Sequence, residues 1–196
     1  MAPVAIRPGL WRWTAPHPDW KPSPASPTGA WPREVGCVLY ETTGHAVFID
    51  PLADEGDGEF WAWADARCAG RAAVVALTIG FHERSRELFV SRYGASEALP
   101  AQVEAFAFPV FDETMYWLAE HRALIAGDRL LGDGGGELSL CPQSWLRYLE
   151  GERTSKQLRE ALGVLRDLDV ELVLVSHGEP VLSGGRDALV RALERA

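Results

Sequence analysis

Paired cysteines are missing from this 196-residue chain. Cys37, Cys68 and Cys141 lie far apart, and none belongs to a Cys-x-x-Cys motif. An odd, scattered set argues against a disulfide framework and against a structural zinc site, and leaves three small buried hydrophobes as the expectation. Runs of Lys and Arg are missing too. The one small grouping is Arg84 with Arg86, set against a formal net charge of −9. An acidic surface repels nucleic acid and anionic lipid, so neither is expected as a partner. No apolar run reaches the roughly eighteen residues of a membrane helix. Residues 1–20 lack a continuous apolar stretch and are broken by Pro3, Pro8 and Pro16, unlike a signal peptide. The expected compartment is the cytoplasm.

What is present is an ordinary globular composition, 47% hydrophobic and 24% charged, with an unusual eight tryptophans. The length suits a single domain over residues 1–196, with residues 1–33 partly a Trp- and Pro-rich arm or loop. Trp11, Trp13, Trp20 and Trp31 fall in that arm, where they serve either packing or a pocket wall.

Residues 4–13 alternate weakly, as an edge strand would. Val35–Glu41 and His45–Ile49 read as a hairpin about Thr42-Thr43-Gly44. Glu59–Ala69 has helical spacing and stops at Gly70, and Ala72–Leu77 is a short unbroken apolar run, the pattern of a buried parallel strand. A short helix over Ser85–Tyr93 is bounded by Ser85 as cap and Gly94 as stop. Strands are expected at Val103–Phe108, Thr114–Ala119, Arg122–Ile125 and Glu171–Val175. The GDGGG run at 132–136 reads as a loop. Helices are expected at Pro142–Leu149, at Thr154–Leu168 with Thr154 and Gln157 at capping-box spacing, and at Arg186–Arg195. Strands with a few amphipathic helices, in two similar halves, fit two packed sheets with helices outside.

Three apolar strands end in reactive residues: Thr78-Ile79-Gly80-Phe81-His82-Glu83-Arg84-Ser85, Gly127-Asp128, and Ser176-His177-Gly178. Loops leaving strand ends are where open α/β folds place ligands. His82, Asp128 and His177 are metal-ligand types, with Glu83 as a fourth ligand or a base. The bland alternatives are a hydrogen-bonded turn histidine, an aspartate that closes a turn, and a solvated Glu83–Arg84 pair.

In their order these clusters resemble the metallo-β-lactamase superfamily, in which one strand ends in Thr-His-x-His-x-Asp-His, a later one in Gly-Asp and a last one in a histidine. The resemblance implies an α/β fold, a four-layer αββα sandwich, and a site at one edge of its two sheets. Thr78 stands at the family threonine, Ile79 and Phe81 at the first two histidines, Glu83 at the aspartate and Arg84 at the third histidine. Phe111 falls at the middle histidine, Asp128 at the bridging aspartate and His177 at the last histidine. Asp50, in Ile49-Asp50-Pro51, would be structural and near the site. Ile79, Phe81 and Phe111 offer no lone pair to a metal, so the dinuclear site of the family is not expected.

Three readings are open at this point. In the first, a hydrolase holds a single zinc or other divalent ion on His82, Asp128 and His177 and attacks an ester, thioester or phosphoester, while Arg84 clamps an anionic substrate. In the second, no cofactor is present. His82 or His177 acts as base, oriented by Glu83 or Asp128, or a groove closed by Ile79, Phe81 and Phe111 binds an apolar ligand beside Arg84 without catalysis; Arg84, Phe81, Phe111 and Ser85 are the substrate-binding candidates. The third is a scaffold whose Trp-rich surface meets a partner, with a homodimer left open.

Overall fold

The computed structural model describes residues 1–22 and 32–195. Its backbone contacts divide the chain into two compact units. One is Met1–Leu77 with Phe81–Gln102, and the other is Thr78–Gly80 with Val103–Ala196.

The first unit is built on a five-stranded sheet of β1 (Val4–Arg7), β2 (Leu10–Pro16), β3 (Glu34–Glu41), β4 (His45–Ile49) and β5 (Ala72–Ala76), adjacent in that order. The first four strands are antiparallel. The crossover through helix α1 (Gly58–Cys68) makes β5 parallel to β4, with Ile49 opposite Ala76. The single edge strand expected over residues 4–13 is two strands, because Gly9 turns the chain with φ +76°. Within the expected arm of residues 1–33, residues 4–7 and 10–16 are strands, and Trp31 lies outside the described residues.

Helix α1 starts where the Asp57 carboxylate accepts the Phe60 N–H at 3.0 Å. It ends before Gly70, whose φ is +73°. Phe60, Trp61 and Ala64 are its buried side chains, packed with Trp13, Phe48 and Phe89 in one aromatic-rich cluster. Phe89 comes from helix α2 (Arg86–Tyr93), which stops at Gly94 in the left-handed conformation as the sequence suggests. The tryptophans of β2 are packing residues. Trp13 donates its indole N–H to Leu52 O at 2.9 Å, Trp61 donates to Asp54 O at 2.9 Å, and Trp11 to Glu41 Oε2 at 2.6 Å. Two of these bonds pin the segment just after Asp50.

The second unit contains a sheet ordered β11-β8-β7-β6, from β6 (Glu104–Phe108), β7 (Glu113–Leu118), β8 (Ala123–Ala126) and β11 (Leu172–Val175). β6, β7 and β8 are antiparallel, and β11 joins β8 in parallel. The two antiparallel connections are built alike, a single 3-10 turn followed by a residue at positive φ, Asp112 at +48° and Arg122 at +52°.

The GDGGG run is part of a hairpin, β9 (Leu130–Gly134) with β10 (Glu137–Leu140), rather than a loop. Residues 143–148 form a 3-10 helix instead of an α-helix. The helix expected over 154–168 begins with the capping box between Thr154 and Gln157, but only α3 (Ser155–Ala161) is α-helical; Leu162–Asp167 tightens to 3-10. Gly163 sits at this change, and glycine costs about 1 kcal/mol relative to alanine inside a helix. Leu158, Leu162 and Leu165 still share one buried face with Leu189 and Leu193 of helix α4 (Gly185–Glu194).

Cys37 and Cys141 are buried and Cys68 is half-buried, and all three are free thiols. Desolvation pushes each thiol up to about 11. At pH 8 the thiolate fraction is therefore about a thousandth. The expected outcome with a disulfide exchange reagent at pH 8 is negligible labelling of native protein within minutes, and three thiols per chain after denaturation.

Candidate functional site

In the second unit the parallel register of β8 and β11 sets Ala126 beside Val175, and Ser176 N–H bonds Ala126 O at 3.1 Å. The next residues of both strands therefore leave the sheet at the same end. There Asp128 Oδ1 lies 3.3 Å from His177 Nε2, with the imidazole buried and the carboxylate 18% exposed. The Gly-Asp sequence has a steric reason: a Cβ on Gly127 would stand 2.3 Å from Thr78 Oγ1. Thr78 is itself fixed, its carbonyl accepting Thr114 N–H at 2.7 Å.

The loop bearing His177 is fixed by backbone contact. Gly132 N–H of β9 donates to His177 O at 3.0 Å, and Gly178 takes φ +86°. A Cβ on Gly132 would lie 1.9 Å from Glu179 O, and one on Gly178 2.0 Å from Gly132 O, so the two glycines exist to let these backbones touch. Trp145 stands edge-on to the His177 ring, centroids 5.5 Å apart, and is half-buried.

A parallel arrangement serves the first unit. Asp50 comes just after β4 and His82 after β5, and His82 Nδ1 lies 2.9 Å from Asp50 Oδ2 with both side chains buried. This hydrogen bond fixes the ring and leaves Nε2 as its other donor atom. Asp50 adopts φ +49°, a conformation that aspartate tolerates better than most residues.

The remaining sequence candidates fall elsewhere. Arg84, with φ +40°, sends Nη1 to Gly36 O at 3.2 Å and Asp50 O at 3.0 Å, while its Nε and Nη2 are buried. A bidentate clamp needs that Nε–Nη2 edge exposed, so Arg84 anchors the ends of β3 and β4 instead of presenting a fork to substrate. Ser85 occupies the position before α2 without capping it. Its hydroxyl donates to Ala53 O at 3.0 Å and accepts Ala53 N–H at 2.9 Å, which leaves it no proton to offer a ligand. Glu83 is an exposed carboxylate in the field of Arg86. Phe111 is buried to 1% in the core of its unit and offers no ligand-facing surface, whereas Phe81 is 73% exposed.

Two residues near Asp128 and His177 are not evident from the sequence. Trp145 carries no signal there beyond being an isolated tryptophan. Glu113, buried to 3%, accepts the N–H groups of Gly127 and Asp128 and is legible only as an acid opening an apolar strand.

No family model matches the sequence, and no curated protein matches it. Solved structures do. The chain is similar to a metallo-β-lactamase from Pontibacter korlensis at a TM-score of 0.62 and 17% identity, over 100% of this chain and 99% of that one. It is similar to the DIM-1 metallo-β-lactamase at 0.60 and 14%, over 97% of each chain. FIM-1 from Pseudomonas aeruginosa, in its mono-zinc form, aligns at 0.56 and 12%, over 98% and 94%. The chain has the metallo-β-lactamase fold. Likeness at this level of identity concerns architecture. It agrees with the α/β class expected from the sequence. Among the described residues, no helix of this metallo-β-lactamase-fold chain is long and apolar enough to cross a membrane.

The Gly132→Ala variant tests how the His177 loop is held. Relief of a 1.9 Å approach to backbone requires β9 and the loop to separate. The expected loss is about 3 kcal/mol of unfolding free energy in urea titrations. A wild-type midpoint would show that the two backbones do not need this approach.

Proposed function

We propose that this chain is a divergent metallo-β-lactamase-fold hydrolase that uses one divalent ion, zinc by preference, held by His82, Asp128 and His177, where the family uses two. The substrate is a small ester, thioester or phosphoester, anionic in character. The observation that carries this reading is the Asp128–His177 pair, formed where two parallel strands end side by side.

The donor set fits an ion. His82, Asp128 and His177 are the group of described His, Cys, Asp and Glu residues suited to holding one. Two imidazoles and a carboxylate are a catalytic zinc complement, with a coordination position left over. Asp50 supports the same reading, because a ligating histidine ordinarily donates its second ring N–H to a carboxylate. The positions that the resemblance assigns to a second ion do not suit one: Ile79, Phe81 and Phe111 have no lone pair, and the Arg84 guanidinium is bound to carbonyl oxygens. When bound, the ion would supply Lewis-acid polarisation of a carbonyl or phosphoryl oxygen. The chain's own residues do the rest. Asp50 holds His82 in one tautomer, Glu113 and Gly127 hold the turn at Asp128, and Trp145 presents an aromatic edge beside His177 for the apolar part of a ligand.

A second reading is favoured by one feature. Asp50–His82 and Asp128–His177 are each carboxylate–imidazole pairs, and such a pair serves as a general base, or as part of a binding pocket, without a metal.

Calorimetric zinc titration of chelator-treated protein separates the readings. The expected result is one ion per chain, with affinity lowered at least about 100-fold by Asp128→Ala and by His177→Ala. Two ions per chain would overturn the single-site assignment. No binding would overturn the metal assignment, and ester hydrolysis that persists under chelation would then establish the second reading. With zinc bound, p-nitrophenyl esters, acyl thioesters and phosphodiesters report the reaction class.

A further inference from the structure

We infer that Glu113 is the positioning residue of the candidate centre, a buried carboxylate that sets the direction of Asp128 through the backbone; the functional part of this inference rests on the proposed metal site. Glu113 opens β7, the antiparallel neighbour of β8, and is 3% exposed. Its Oε1 accepts Gly127 N–H at 2.8 Å and its Oε2 accepts Asp128 N–H at 3.1 Å.

A carboxylate is costly to bury, and simple strand termination does not require one, since a backbone carbonyl or an amide oxygen would accept an N–H equally well. A carboxylate does what those groups cannot. It offers two acceptors in one plane at fixed spacing, so consecutive N–H groups are held together and the peptide between them cannot rotate. The peptide plane entering Asp128 fixes where its Cβ, and hence its carboxylate, can point. Gly127 completes the device, because a Cβ there would lie 3.0 Å from Glu113 Oε2 and 2.3 Å from Thr78 Oγ1. Only glycine lets the turn settle onto the two side chains.

The test uses the full chain and Glu113→Gln, which keeps the shape but presents an amide N–H to one of the two backbone donors. The readouts are amide hydrogen exchange by NMR on metal-free protein and cobalt(II) affinity by visible absorption. The expected result is a loss of protection of at least about tenfold at Gly127 and Asp128, with β6 and β11 unchanged, and cobalt affinity reduced by about ten- to a hundredfold. Glu113→Asp, which keeps the charge but shortens the reach, falls between wild type and Glu113→Gln in both readouts. Unchanged protection and affinity in Glu113→Gln would overturn the inference. Loss of protection throughout the unit in both variants would also overturn it, by showing a purely structural role. Should wild-type protein bind no cobalt, the metal assignment fails on its own, while the exchange data still decide whether Glu113 holds the turn.

Discussion

The pairing of β8 with β11 is the constraint on which the candidate chemistry depends. Parallel strands run in the same direction, so residues leaving the end of one strand emerge beside those leaving the end of its neighbour. With Ala126 opposite Val175, Asp128 and His177 become neighbours by register rather than by any attraction of their own. Leu172 to Val175 are all buried, so both faces of β11 are apolar, and the register is seen in the strand pairing and in the Ser176 N–H bond to Ala126 O that continues it. The position of the pair thus follows from the pairing of two short buried strands.

The same device operates in the first unit. There the parallel strands are β4 and β5, Ile49 lies opposite Ala76, and an aspartate after the first strand meets a histidine after the second. In both units an α-helix lies between the two strands in the chain, α1 in one and α3 in the other, as parallel pairing demands. Asp50–His82 and Asp128–His177 are corresponding products of one topology used twice. Their chemistry differs through burial. Asp50 is enclosed at 3% side-chain exposure and suits orienting a ring, while Asp128, at 18%, keeps an accessible carboxylate suited to a ligand.

Elements with a local cause were legible in the sequence. The capping box at Thr154 and the glycine stops at Gly70 and Gly94 depend on a few adjacent residues, and the structure contains them. So were the three strand ends, because apolar runs broken by Gly, His and Asp report the strand and its exit together. Features with a distant cause were not. The glycines at 132–136 read as a loop, yet Gly132 is glycine because residues 178–179 press against it from far along the chain. Arg84 read as a substrate clamp or as half of a solvated pair with Glu83, because sequence shows side-chain partners only. Its partners are backbone carbonyls of β3 and of the residue after β4, which no side-chain pattern encodes. Glu113 was hidden for the same reason, since its partners are amides.

Backbone partnership also bears on how this fold could carry a reduced metal complement. Ile79 and Phe81 offer no donor atoms to a metal, and Arg84 is a fixed cation whose Nη1 is held by the protein backbone. Its Nη1 donates to two carbonyl oxygens, those of Gly36 and Asp50, and its backbone takes φ +40°. With the guanidinium edge buried, recognition of an anionic substrate belongs, on the proposed single-ion reading, to the ion rather than to Arg84. On that same reading the aromatic ring available beside His177 is Trp145 rather than Phe111, which is packed in the core of its unit.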